Sequence, residues 1–125
     1  MLTTIMRKYK IGAIALLPLF LFAIPHSAAA QAGKAEEGQE LFKKNCVTCH
    51  GPDGSGSTAV GKAVGAKDLR AAEALKMSDA EISTQIEKGK GNMPPFGETL
   101  DKAKINDLIA YIRELGKKKT GDKKP

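Results

Sequence analysis

Cys46-Val47-Thr48-Cys49-His50 is the segment of this chain whose residue types and spacing point most directly to chemistry. Two thiols three residues apart on one helical turn face the same way, and the imidazole that follows leaves from the same turn. Such a set can bond the two neighbouring vinyl groups of a haem and bring a ring nitrogen to its iron, which is the pattern of c-type haem attachment. Other chemistries fit less well. A thioredoxin-like dithiol needs a preceding strand in a βαβ setting, whereas helical sequence precedes these cysteines. A zinc site on Cys46, Cys49 and His50 wants a fourth ligand, yet the chain has 2 Cys in all, and its other histidine, His26, lies in a segment that reads as removable. A disulfide between Cys46 and Cys49 would close a very small, strained loop.

An iron held by His50 has a second axial position. Filled, it suits electron transfer; open, it suits ligand binding or peroxide chemistry. Outside the N-terminal stretch the methionines are Met77 and Met93. Met77 stands just before a helix cap in an otherwise helical run and reads as a core thioether. Met93 lies in Gly91-Asn92-Met93-Pro94-Pro95-Phe96-Gly97, a stiff irregular loop for which core packing is a poor explanation, and it is the expected sixth ligand.

The elements that must position these groups follow from local pattern. Residues 1–30 read as a secretory signal: Arg7, Lys8 and Lys10 precede an apolar run from Ile11 to Ile24, and Ala28-Ala29-Ala30 offers a cleavage site. A retained anchor is the alternative, but the run falls short of the ~20 residues a span requires and contains Pro18. Ala35 to Lys44 reads as a first helix, with Glu36 and Glu37 at its start and Lys43 and Lys44 at its end. Gly51 to Gly65, with five glycines, reads as loop, and Leu69 to Met77 as a short helical stretch. Ser78 and Glu81 form a capping box for a helix from about Asp79 to Lys88, ended by Gly89-Lys90-Gly91-Asn92. Asp101 can cap a last helix in which Ile105, Leu108, Ile109, Ile112 and Leu115 recur at helical spacing. There is no internal repeat. Long glycine-rich connections in so small an all-α domain usually wrap something, and a large buried cofactor is the expectation.

Charge narrows the partner. Cleavage after Ala30 would remove three basic residues and no acid, bringing the net charge from +6 to +3. Gly116 to Pro125 alone carries +4, through Lys117, Lys118, Lys119, Lys123 and Lys124 against Asp122. The excess therefore sits on a basic tail, expected to be flexible, and no basic stripe interleaved with aromatics suggests nucleic-acid binding. The tail suits weak contact with an acidic redox partner or a membrane surface.

In these places the sequence resembles the small soluble class I monohaem cytochromes c of bacteria. Gly38 and Phe42 precede Cys46-x-x-Cys49-His50, Gly91-Asn92-Met93-Pro94-Pro95-Phe96 is similar to the family's methionine loop, and Asp107-Leu108-Ile109-Ala110-Tyr111-Ile112 to its last helix. The resemblance covers residues 31–115. It implies an all-α cytochrome c fold of three to five helices wrapped around one haem c, attached through Cys46 and Cys49 and ligated by His50 and Met93. It also implies that the first helix crosses the last at Gly38, with Phe42, Leu108 and Tyr111 at the contact. Leu69, Ile82, Ile86, Phe96 and Ile109 are expected to line the pocket. One departure stands out: many relatives have a proline after the haem histidine whose carbonyl orients the imidazole, and here no proline occurs between Pro52 and Pro94.

The expected function is that of a monomeric periplasmic one-electron carrier without catalytic residues. The alternatives are a peroxidase or gas-binding protein with a labile methionine, and the electron-entry subunit of a larger redox complex.

Overall fold

A computed structural model describes residues 33–121. The expected leader, residues 1–30, and the last four residues, Lys123 and Lys124 among them, lie outside that range. The described chain is helical, as expected, but holds six helical segments rather than three to five: α1 (Ala35–Asn45), α2 (Val47–His50), α3 (Ala59–Val64), α4 (Ala72–Lys76), α5 (Asp79–Lys88) and α6 (Lys102–Gly121). The surplus comes from α2, the single turn that carries Cys49 and His50, and from α3, a short turn inside the glycine-rich stretch. No helix among the described residues is long and apolar enough to cross a membrane.

The crossing of α1 and α6 builds most of the core. Acids in the first turn of α1 and bases in its last complement the helix dipole. No side chain of its own caps its start; instead the Lys34 N–H donates to Asp107 Oδ1 on α6 at 2.6 Å. Phe42, Ile105 and Leu108 are each 1% exposed, and the rings of Phe42 and Tyr111 meet at 5.3 Å and 59°. Such a tilted aromatic pair adds ~1 kcal/mol beyond the area it buries. At Gly38 a Cβ would stand 1.9 Å from the carbonyl oxygen of Asp107, so only glycine allows the helices to approach this closely.

α5 begins on the capping box expected from Ser78 and Glu81: the Glu81 N–H donates to Ser78 Oγ at 3.2 Å and the Ser78 N–H to Glu81 Oε2 at 2.7 Å. Ile82 and Ile86 face the core beside Leu100, Ile109, Ile112 and Leu115. Asp101 caps the last helix by accepting from the Lys104 N–H at 2.9 Å. Arg113 of α6 fastens the α4–α5 corner, donating to the carbonyls of Leu75 and Met77 and to Asp79 Oδ1 at 2.7 Å.

Two segments depart from expectation. Residues 59–64, expected to be loop, form α3, because Thr58 caps the turn by accepting from the Gly61 N–H at 2.8 Å. The last helix does not yield to a flexible tail at Gly116. It continues to Gly121, since Gly116 seats against Leu75, where a Cβ would come within 2.3 Å of a methyl, and lysines suit a helix C-terminus. Lys119 then reaches Asp68 Oδ2 at 3.0 Å. Arg70 holds the same carboxylate through Nε at 3.0 Å and reaches Asp53 Oδ2 with Nη1 at 3.0 Å. Partial burial pushes the Asp68 carboxyl up, but hydrogen bonds from Arg70 and Lys119 outweigh it and hold the group well below the usual carboxylate range.

Two outcomes follow from this packing. Gly38→Ala must part α1 from α6 and should cost about 2–4 kcal/mol in denaturant unfolding, well beyond the ordinary gain from a helical alanine. Because the folded-state pKa of Asp68 is depressed, its stabilisation is complete above the unfolded value of ~3.9 and lost as pH falls through the lower folded value. Asp68→Asn should therefore be less stable than wild type at neutral pH and lose less stability on acidification below about pH 4, as unfolding free energies across pH would measure.

Candidate haem site

The five-residue motif sits where α1 hands over to α2. Cys46 breaks the helix for a single residue, at φ −118°, and its carbonyl accepts from the N–H groups of Cys49 at 3.2 Å and His50 at 2.9 Å. Cys46, Cys49 and His50 thus share one turn. All three are half-buried, and Cys46 and Cys49 are not joined in a disulfide. As a thiol, Cys46 is pushed up to about 11 by burial and then by the charge of neighbouring Cys49.

After His50 the chain turns sharply through Gly51, at φ 76°, and the His50 carbonyl accepts from the Gly56 N–H at 2.7 Å. It then passes through α3 and returns so that the Lys67 carbonyl lies 3.0 Å from His50 Nδ1. With its proton on Nδ1 donated to that oxygen, the ring leaves Nε2 as a free electron-pair donor. The Lys67 carbonyl is thus the partner of the ring nitrogen in a stretch that holds no proline between Pro52 and Pro94. Sequence pattern does not reveal it, because the group involved is backbone.

Met93 lies in a loop braced from two sides. Lys90 and Met93 exchange N–H···O bonds of 3.1 Å, and the Asn92 side-chain amide donates to the Val64 carbonyl at the end of α3, at 3.0 Å. The Gln85 amide lies 4.0 Å from the Met93 sulfur. Downstream, the Phe96 and Gly97 N–H groups donate to the carbonyls of Ile86 and Glu87, laying the loop back on α5. Both Met77 and Met93 are half-buried against the core. Their backbones distinguish them: Met77 is the extended joint between α4 and α5, whereas Met93 is held out on a closed loop.

Of the expected pocket residues, Leu69 and Phe96 pack half-buried on the core beside Cys46, Val47 and Met93, while Ile82, Ile86 and Ile109 are buried within it. Among the described residues no buried polar or charged side chain interrupts this apolar mass, and no three His, Cys, Asp or Glu side chains gather to hold a bare metal ion. Two thiols, an imidazole with Nε2 available and a thioether against an apolar core form a soft donor set that fits a haem.

Comparison with known proteins agrees. Residues 33–112 match the family model described as "Cytochrome C oxidase, cbb3-type, subunit III". The chain is 36% identical to cytochrome c6 of Gloeothece citriformis (strain PCC 7424) over 110 residues, covering 87% of this chain and 96% of that protein. It is 35% identical to the cbb3-type cytochrome c oxidase subunit CcoP of Azospirillum brasilense over 114 residues, which are 90% of this chain but 37% of that subunit. The solved structure of the KustC0563 c-type cytochrome, 36% identical, superposes with a TM-score of 0.58 over 62% of this chain and 95% of that one. The chain thus belongs to the cytochrome c family, as a small class I cytochrome with covalently bound haem c that carries electrons between redox protein partners.

Proposed function

We propose that this protein is a periplasmic one-electron carrier in which Cys46 and Cys49 attach the haem, His50 binds its iron through Nε2 and Met93 completes the axial pair. The observation that carries this reading is the 3.0 Å contact between His50 Nδ1 and the Lys67 carbonyl, on the same turn that presents both thiols. A histidine committed on Nδ1 is prepared to ligate through Nε2, and the hydrogen bond makes it a stronger donor. The bound haem supplies one-electron exchange between ferrous and ferric iron. The chain supplies the rest. Cys46 and Cys49 would fix the group to the turn that opens α2, the Met93 thioether would favour the ferrous state, and Leu69 and Phe96, packed half-buried on the core, would help to keep water from it. The carrier has no catalytic residues of its own and acts as a monomer.

Residues 1–30 direct export, so the mature chain starts at Gln31 and the haem is attached outside the cytoplasm. A second reading, that the domain delivers electrons within a larger redox complex, is favoured by the likeness to CcoP and would show as stable co-purification with other subunits.

Met93→Ala separates an electron carrier from a ligand-binding protein. The wild-type ferric protein should be low-spin with a sulfur-to-iron charge-transfer band; the variant should be high-spin, lack that band and have a lower reduction potential. An unchanged spectrum would remove Met93 from the iron. N-terminal sequencing of protein recovered from the periplasm should begin at Gln31, whereas a chain that still carries Arg7, Lys8 and Lys10 would overturn cleavage.

A further inference from the structure

The carbonyl that orients His50 belongs to an ordinary, exposed lysine. A proline ring would fix φ near −65°, but Lys67 is free about two dihedrals, so its carbonyl needs holding from elsewhere. Its neighbours on both sides are tied down. Upstream, the Ala66 N–H donates to the Gly61 carbonyl at 2.8 Å. Downstream, the Leu69 N–H donates to the Gly54 carbonyl at 2.8 Å, and Asp68 Oδ1 accepts from the Arg70 N–H at 2.8 Å and from Arg70 Nε at 3.0 Å. Arg70 spans onward to Asp53, whose Oδ1 accepts from the Ser55 N–H within the turn that follows His50. Lys119 of α6 also donates to Asp68 Oδ2, at 3.0 Å.

The Asp68 carboxylate is the node. It is the only group of this set bonded to both the return loop and α6, and it is adjacent in sequence to the carbonyl in question. We propose that Asp68, clamped by Arg70 and by Lys119, is the positioning residue that keeps the Lys67 carbonyl on His50 Nδ1 in place of a proline ring, and so couples the end of the last helix to the donor strength of His50. The inference rests on His50 being the iron ligand.

A loosened carbonyl would expose the Nδ1 proton to solvent and make the imidazole a weaker donor, which stabilises ferric iron less and raises the potential. The test uses reduced and oxidised holoprotein, with two readouts: solvent exchange of the His50 Nδ1 proton by NMR, and potentiometric titration. Asp68→Asn should speed the exchange by about fivefold or more and move the potential upward, by loosening the local structure rather than unfolding it. Lys119→Gln, at a half-exposed site, should do both to a smaller degree. Among the described residues the Lys67 N–H finds no backbone acceptor, so a proline there breaks no backbone hydrogen bond, and Lys67→Pro should restore both readouts in the Asp68→Asn background.

Unchanged exchange and potential in a folded Asp68→Asn protein would overturn the proposal, even if its thermal midpoint fell, because a merely stabilising cluster would move the midpoint alone. Failure of Lys67→Pro to rescue would overturn it as well. A high-spin spectrum in the unaltered protein would count against the axial ligation itself, which keeps the two failures apart.

Discussion

The close approach of α1 to α6 is the constraint on which the rest depends. At Gly38 two backbones meet with no side chain between them, and the large apolar groups, Phe42, Leu108 and Tyr111, fill the space one turn further on. α1 passes into α2 with one intervening residue, so the direction of α1 is also the direction in which the haem-attachment turn is presented. A helix held only by a greasy face could slide or rotate by a few degrees. One pinned by backbone contact and by the Lys34 to Asp107 hydrogen bond cannot. The packing of two helices remote in sequence thereby becomes the reference frame for three reactive side chains.

Around that frame the return loop and the methionine loop are held chiefly by polar links. Both present groups to the same apolar core. Backbone carbonyls at Lys67, Val64 and Ile86 accept from His50, Asn92 and Phe96, while the Asp68 carboxylate ties the return loop to Arg70 and to Lys119 of α6. A lysine can present the carbonyl at residue 67 because the residues on either side of it are held.

What was legible in the sequence had side-chain spacing as its signature. Cys46, Cys49 and His50 announce their chemistry by separation alone, the pair of Ser78 and Glu81 starts α5 where its pattern says, and Ile105 to Leu115 trace the buried stripe of α6. Met93 stood out because prolines forbid a core helix there. What was not legible depended on backbone or on distant pairing. α3 was hidden by Gly61, which composition counts as loop but which is glycine because a Cβ would stand 2.1 Å from the Cys49 carbonyl; Thr58, three residues earlier, was the available cue. The helical course beyond Leu115 rests on Leu75 and Asp68, contacts far away in sequence. Arg113 likewise gives no local sign that it will join α6 to the corner before α5.

The six residues of α3 have a bearing on which lengths of chain can vary. At one end Thr58 Oγ1 donates to the Thr48 carbonyl at 2.8 Å, on the turn that carries Cys49 and His50; at the other the Val64 carbonyl receives Asn92, next to Met93. α3 is thus a spacer of set length between the attachment turn and the methionine loop. Adding or removing one residue within it would change the gap by about 1.5 Å and swing the Val64 carbonyl by roughly 100°, away from Asn92. At Gly65 a side chain would meet open space, but the Ala66 N–H that follows donates to the Gly61 carbonyl at 2.8 Å. Substitutions at residue 65 are therefore limited by its positive φ rather than by space, whereas a change of length on either side of Val64 disturbs one of the two loops.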